Sequence, residues 1–121
     1  MALPEIVWVD SAAALPHRLP AGRFAVVDVA FASLDKFAQT QRFIEENGAH
    51  LAAWVDHHKH DGWPAYAQDT RFVLVPNVVA HACPELVTPA VVRRVGPVAL
   101  VLAHSDFDGM MSAVNLSLIH I

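Results

Sequence analysis

Five short apolar segments, rich in β-branched and aromatic residues, set the fold class of this 121-residue chain. They span residues 6–9, 24–29, 51–55, 72–75 and 98–103. Each is apolar on both faces of an extended chain, which is typical of strands in a parallel sheet that is covered by helices on each side. Between them, Ser33 and Thr88 resemble helix N-caps, and Gly48 and Gly96 can end helices. The sequence therefore predicts an α/β domain with a mostly parallel sheet and helices on both faces.

Composition narrows the class of protein further. The chain is 55% hydrophobic and carries 8 Lys+Arg against 12 Asp+Glu, a net charge of −4. This excludes wholesale disorder, and no apolar run approaches the roughly 20 residues of a membrane span. The negative charge also argues against a protein that binds nucleic acid mainly by coating phosphates with Lys and Arg. Because Cys83 is the single cysteine and no secretory signal is visible, we expect a cytoplasmic setting.

Three clusters of acidic and histidine residues come directly after predicted strands. They are Asp28, the run 56–58 (DHH) and the run 104–109 (HSDFDG). Ligands of open α/β sheets gather at the carboxyl ends of the strands. In extended chain His104, Asp106 and Asp108 would project to one side, a ligand set that suits Mn²⁺, Fe²⁺, Co²⁺ or Zn²⁺. Gly109 would then allow a tight turn into a helix near Met110, whose free N–H groups would face an anion.

Each cluster alone has a plainer interpretation. Asp28 could be a turn or helix cap, and His81 and Cys83 lack a second pair at metal-binding spacing, which favours a loop histidine and a buried thiol. An EF-hand loop is excluded, because position twelve counted from His104 is Asn115 and not a bidentate Glu. Three such clusters at three strand ends favour a site, since core packing does not require them. Other histidines are expected to be solvated, namely His17, His50 and His60.

Four segments resemble the motifs of the DHH phosphoesterase superfamily. VDHH at 55–58 is similar to its signature, and HSDFDGMMSA at 104–113 resembles its first motif, His-x-Asp-x-Asp-Gly, in the form of the oligoribonuclease-like members. Asp28 matches the second motif, and ACPELV at 82–87 is similar to the small-x-x-Glu-Leu-Val helix. The superfamily includes RecJ-like exonucleases, oligoribonucleases, cyclic-dinucleotide phosphodiesterases and family II pyrophosphatases. The resemblance covers roughly residues 24–114.

The resemblance implies a site for two divalent cations, usually Mn²⁺. It further implies that Asp56 orients a histidine, that His58 contacts the scissile phosphate and that Gly109 lies at the substrate. Asp28 would bridge the two ions. The implied metal ligands are Asp28, His57, His104, Asp106 and Asp108.

The expected function is metal-dependent hydrolysis of phosphodiester bonds in short oligonucleotides or nucleotide second messengers, with two-metal activation of water. The partner would be a phosphate-containing small molecule or a short single-stranded nucleic acid. No binding to a membrane is expected. A non-catalytic nucleotide- or metal-binding relative is the alternative. A plain α/β chain with solvated His and Asp residues is a third interpretation.

The chain departs from the superfamily in two ways. The His-x-Asp-x-Asp-Gly motif follows the DHH signature here instead of preceding it, so the motif order is permuted, and no fourth-motif Asp stands between residues 87 and 103. Residues 116–121 (LSLIHI) match the translation of a transposase sequencing adapter, the alternative being a short apolar tail or final strand. We therefore expect 1–115 to be a partial catalytic domain, 116–121 to be a non-native tail, and this chain alone to have weak or no activity.

Overall fold

The structure, a computed structural model, describes residues 3–11, 15–16, 19 and 21–118, apart from the side chains of Phe107 and Leu118. The strands are β1 (Glu5–Val9), β2 (Phe24–Val27), β3 (Leu51–Asp56), β4 (Phe72–Leu74) and β5 (Leu100–His104). The helices are α1 (Phe37–Asn47), α2 (Pro89–Val95) and α3 (Phe107–Leu118). Single 3-10 turns span Leu34–Lys36, Gly48–His50, Trp63–Tyr66 and Cys83–Leu86.

All five strands pair in parallel, in the order β1-β5-β2-β3-β4. Every residue of β2 and β3 is buried, as their continuous apolar sequences predict for strands covered on both faces. This confirms the α/β class and the parallel sheet. The three adjacent strands β5, β2 and β3 are those whose carboxyl ends carry the acidic and histidine clusters. The sheet order therefore brings the three clusters to one edge.

Helices cover both faces of the sheet, as predicted. On one face Phe43 and Ile44 of α1 pack into a cluster with Phe24 and Trp54. On the other face, side chains of α2 and α3 pack with Val27 and neighbouring strand residues. The step from β2 to β3 and the return from β4 to β5 run in opposite directions across the sheet. Because crossovers between parallel strands are right-handed, connections that run in opposite directions place their helices on opposite faces of the sheet.

Several predicted helix ends are confirmed. The Thr88 hydroxyl accepts a hydrogen bond from the Val91 N–H at 3.2 Å and caps α2. Gly48 follows α1 with φ +43°, and Gly96 follows α2 with φ +74°. Both conformations suit glycine because it lacks a Cβ. The buried Cys83 thiol also agrees with its interpretation from the sequence.

Other boundaries differ from the prediction. Ser33 precedes a 3-10 turn rather than α1, and its hydroxyl donates to the Asp35 carboxylate at 2.5 Å instead of capping the backbone. Residues 116–118 belong to α3, where Leu116 and Ser117 are buried, so they do not form a strand. The remaining tail residues 119–121 lie outside the described residues. In the described part of the chain, no helix is both long and apolar enough to cross a bilayer.

Candidate metal centre

Asp28 ends β2 in an unusual backbone conformation. Its φ is +59°, and its N–H continues the ladder to the Val55 carbonyl at 2.8 Å. The left-handed region costs most L-residues about 1–2 kcal/mol, although Asp and Asn tolerate it better than others. Strain of this kind clusters at functional sites, because folding alone does not favour it.

The chain after Asp28 is fixed by buried hydrogen bonds. The Trp54 indole N–H donates to the Val29 carbonyl at 2.9 Å, and the Ala32 N–H donates to the Thr40 hydroxyl at 3.0 Å. These bonds tie the loop to β3 and to α1. The position of the Asp28 backbone is thus set from both sides of the loop.

The carboxylate of Asp28 is buried without a hydrogen-bond partner. The residue is 1% exposed, and neither carboxylate oxygen has a hydrogen-bond partner among the described residues. Burial, followed by the neighbouring Asp106 carboxylate, raises the pKa of Asp28 to about 7. A buried charge without a partner is costly, so a cation at this point would remove a real penalty.

Asp28, His57 and His58 form one potential ligand group, with donor atoms within 4.8 Å of one another. His57 Nδ1 lies 2.8 Å from the Ala80 carbonyl, which can only accept, so in the neutral ring the proton is on Nδ1. Its bare Nε2 then faces Asp28 Oδ1 at 3.4 Å. Two lone-pair atoms at this separation match two ligands of one ion, each roughly 2.1 Å from it. A backbone carbonyl on the far nitrogen is also typical of metal-binding histidines.

His58 is held by Asp56 at the end of β3. His58 Nδ1 donates to Asp56 Oδ1 at 2.7 Å, and the His58 backbone N–H donates to Asp56 Oδ2 at 3.2 Å. The Asp56 carboxylate is buried and raises the pKa of His58. The structure thus brings together Asp56, for which the resemblance implies an orienting role, and His58, for which it implies contact with the substrate.

A second potential ligand group consists of Asp28, His104 and Asp106, again with donor atoms within 4.8 Å. His104 Nδ1 lies 2.8 Å from Asp106 Oδ2. Against the effect of burial, the Gly109 N–H and the His104 ring lower the pKa of Asp106. Asp28 belongs to both groups, which is the arrangement of a bridging ligand.

The extended run predicted for 104–108 is wrong. β5 ends at His104, and the chain bends at once, with the Asp106 N–H donating to the His104 carbonyl at 2.9 Å. α3 therefore begins at Phe107 and not near Met110. Asp108 lies in its first turn, outside both ligand groups found among the described residues.

Gly109 has a packing role that the sequence did not predict. Its N–H donates to Asp106 Oδ1 at 2.7 Å, so it is not free for an anion. A Cβ at this position would lie 1.9 Å from the His104 carbonyl oxygen. Gly109 therefore allows α3 to begin directly against the end of β5, and this holds Asp106 beside His104.

The two acidic residues of this motif give a matched test. Asp106→Asn keeps a good N-cap but removes a carboxylate ligand, whereas Asp108→Asn changes a residue outside the ligand groups. We expect Asp106→Asn to weaken Mn²⁺ binding at least tenfold and Asp108→Asn to change it less than threefold, measured by calorimetry. Equal losses in the two variants would contradict the ligand groups described above.

Sequence reasoning missed part of the cleft. A cavity of about 310 Å³ lies over the two potential ligand groups, and Asp10, Ser11, Ser33 and Lys36 line it together with Asp28, His58 and His104. Asp10 directly follows β1 and accepts a hydrogen bond from the Ser105 hydroxyl at 2.7 Å. The same strand-end rule that selected Asp28 could have found it. Nothing in the sequence pattern signals Lys36.

His60 is not solvated, contrary to the prediction. One ring nitrogen lies 2.7 Å from the Ala32 carbonyl, and the other accepts from the Gly62 N–H at 2.8 Å. The ring also contacts Phe31 and Phe37. His60 thus links the loop after the histidine pair to the loop after Asp28. His50, by contrast, is exposed as predicted.

Comparison with family models, curated proteins and solved structures found no match for this chain. The resemblance to the DHH superfamily therefore stays a prediction from the motifs. The geometry of the strand ends is independent of that resemblance.

Proposed function

We propose that this protein is a divalent-metal-dependent phosphoesterase that hydrolyses phosphodiester bonds in short oligonucleotides or nucleotide second messengers. The observation that carries the proposal is the buried, unpartnered Asp28 carboxylate, which belongs to two ligand groups and faces the bare Nε2 of His57. A shared carboxylate between two sets of ligands is the arrangement that a two-ion phosphoesterase needs. The motif resemblance supports the same reaction and suggests Mn²⁺.

The ligand chemistry fits such ions. The two groups combine imidazole nitrogens with carboxylate oxygens, a mixture that suits Mn²⁺, Fe²⁺, Co²⁺ or Zn²⁺ better than Ca²⁺. When bound, two such cations supply an activated water and stabilise the attacking and leaving oxygens of an in-line displacement. In this account the side chains that hold them are Asp28, His57, His104 and Asp106.

Protein groups at the cleft have separate roles in the proposed reaction. Asp56 fixes the Nδ1 proton of His58, which leaves His58 Nε2 available to the cleft that this residue lines. The Asp56 carboxylate raises the pKa of His58 and so favours the protonated ring, whose Nε2 proton can be donated to a phosphoryl or leaving-group oxygen. The side chain is 43% exposed, so a substrate can reach it.

The protein's own charges in the cleft do not favour an anionic substrate, since Asp10 and Asp28 line it with Lys36. Among the described lining residues, Lys36 is the only Lys or Arg. The chain as a whole has a net charge of −4. Attraction of a phosphate therefore depends on bound cations and on Lys36, and not on a basic surface.

A binding protein without turnover is the alternative. With His58 as proton donor, only four side chains of the two groups hold the cations, and no Asp between residues 87 and 103 is available as a fourth-motif ligand. Such a protein would bind Mn²⁺ and nucleotide but would not hydrolyse a phosphodiester. The two functions therefore share the metal centre and differ in turnover.

The proposal is tested with the complete gene product in Mn²⁺. We expect it to hydrolyse bis(4-nitrophenyl) phosphate or a short RNA, with a loss of at least 100-fold in His57→Ala and little change in Glu46→Gln, an exposed residue of α1. EDTA should remove the activity, and Mn²⁺ should restore it. Mn²⁺ binding without turnover of these substrates would contradict the enzyme and support the binding protein. A folded protein that binds no Mn²⁺ would contradict both.

A further inference from the structure

A second pocket lies next to the metal centre. Its volume is about 520 Å³, and it is lined chiefly by Lys59, Asp61, Trp63, Tyr66 and Phe72. Lys59 directly follows the His57–His58 pair, so the start of this pocket lies within about two residues of chain, or roughly 7 Å, of that pair. The metal centre and the pocket are thus close enough for neighbouring parts of one small ligand.

The two cavities share a wall. Phe31 lines the cleft over the metal centre, and its ring contacts His60 and Tyr66 with centroid separations of 5.6 Å each. His60 and Tyr66 line the second pocket. The hydrogen bonds of His60 to both loops hold this wall in place.

We propose that this second pocket, the aromatic pocket, binds a nucleobase of the substrate whose phosphate lies at the metal centre. The inference rests on the proposed phosphoesterase function and deepens it, because it assigns the base to a particular surface. Stacking on an aromatic side chain is worth about 1–3 kcal/mol per base and tolerates different bases, since every base has a π-face.

The lining suits a flat ring with polar edges. Tyr66 and Phe72 stack on each other with centroids 4.7 Å apart, and Trp63 lines the same pocket. Lys59 and Asp61 add a donor and an acceptor at its border. A base offers hydrogen-bond donors and acceptors around its ring to these exposed charged groups, whereas a purely aliphatic ligand offers none.

These rings pack against the hydrophobic core with only part of their surface. Trp63, Tyr66 and Phe72 are only half-buried, although they are among the largest side chains of the protein. The Trp63 indole N–H is covered and has no acceptor among the described residues, which costs about 1–3 kcal/mol. Large aromatic side chains that are left partly exposed at such a cost are typical of binding surfaces.

The test compares two ligands that share a phosphate and a ribose. Adenosine 5′-monophosphate and ribose 5-phosphate are titrated into the chain with Mn²⁺ present, and binding is measured by calorimetry. We expect the adenosine compound to bind at least about tenfold more tightly. Tyr66→Ala should reduce this ratio below threefold without changing the affinity for ribose 5-phosphate. Trp8→Ala, which removes an exposed ring on β1, should leave the ratio unchanged.

The outcomes distinguish failure of the base-binding pocket from failure of the proposed function. Equal affinities of the wild-type protein for the two ligands would overturn the base-binding pocket and leave the metal centre intact, and this comparison does not depend on any variant folding. Preserved discrimination in folded Tyr66→Ala protein would also overturn it. Failure of both ligands to bind in the presence of Mn²⁺ would contradict the proposed function, and the pocket assignment with it.

Discussion

Asp28→Asn should raise the free energy of unfolding of the metal-free protein by about 1–3 kcal/mol and abolish Mn²⁺ binding. Burial and the Asp106 carboxylate raise the pKa of Asp28 to about 7, so at pH 8 the folded protein without metal contains a buried charge without a hydrogen-bond partner. The nearest ring nitrogens, His57 Nε2 and His58 Nδ1, lie 3.4 and 3.9 Å from Asp28 Oδ1, and the His58 Nδ1 proton is donated to Asp56 instead. Asparagine keeps the size of the side chain and tolerates φ +59°, so it removes the charge without straining the backbone. A gain in stability with a loss of binding is typical of a residue kept for function.

The stability change is measured by urea denaturation in EDTA at pH 8. The folded-state pKa of Asp28 lies above its usual value of 3.8, so the penalty is complete above pH 7 and falls as the pH approaches 4. The gain in Asp28→Asn should therefore shrink when the experiment is repeated at pH 5. Asp10→Asn is the matched control, because Asp10 lines the same cleft but is exposed, and it should change stability by less than about 0.5 kcal/mol. Destabilisation by Asp28→Asn at pH 8 would contradict the account of an unpartnered charge.

Gly109→Ala should destabilise the protein by about 3 kcal/mol, near the upper end for overpacking substitutions. The new Cβ would lie 1.9 Å from the His104 carbonyl oxygen, and backbone cannot yield as a flexible side chain does. α3 would have to move away from β5, and Asp106 would move with it. We expect Mn²⁺ affinity to fall together with stability, as followed by thermal unfolding and calorimetry.

Gly48→Ala is the control for the backbone effect alone. Gly48 has φ +43° and ψ −122°, but a Cβ there would meet nothing within 4 Å, so the expected cost is conformational only, about 1–3 kcal/mol, with no change in Mn²⁺ affinity. If Gly109→Ala leaves Mn²⁺ affinity unchanged, as Gly48→Ala should, the close approach of α3 to His104 is wrong.

The sheet could be predicted because strands that are buried on both faces have uninterrupted runs of apolar residues. β2 is apolar throughout and β3 is apolar up to Asp56, and no exposed face interrupts the pattern. Helix ends set by glycine or by Thr88 were also predictable, since their chemistry is local. The start of α1 was not, because the Ser33 hydroxyl donates to Asp35 instead of capping the backbone.

The candidate site was predictable where position along a strand determines it. Asp28, His57 and His104 meet because β5, β2 and β3 are adjacent, and each residue ends or follows its strand. Asp108 was misplaced because the sequence cannot show that the chain bends directly after His104. The role of His60 depends on Ala32 and Gly62, which reach it only through the tertiary fold. The two-ion function itself remains a prediction.

The central claim is that Asp28 is shared by two cation sites, and titration of the 121-residue chain with Mn²⁺ tests it most directly. Calorimetry at pH 8 should show two ions per wild-type chain and none bound at comparable affinity in Asp28→Asn. Circular dichroism of the same samples establishes that both are folded. No binding to folded wild-type protein, or full binding retained in Asp28→Asn, would contradict the claim.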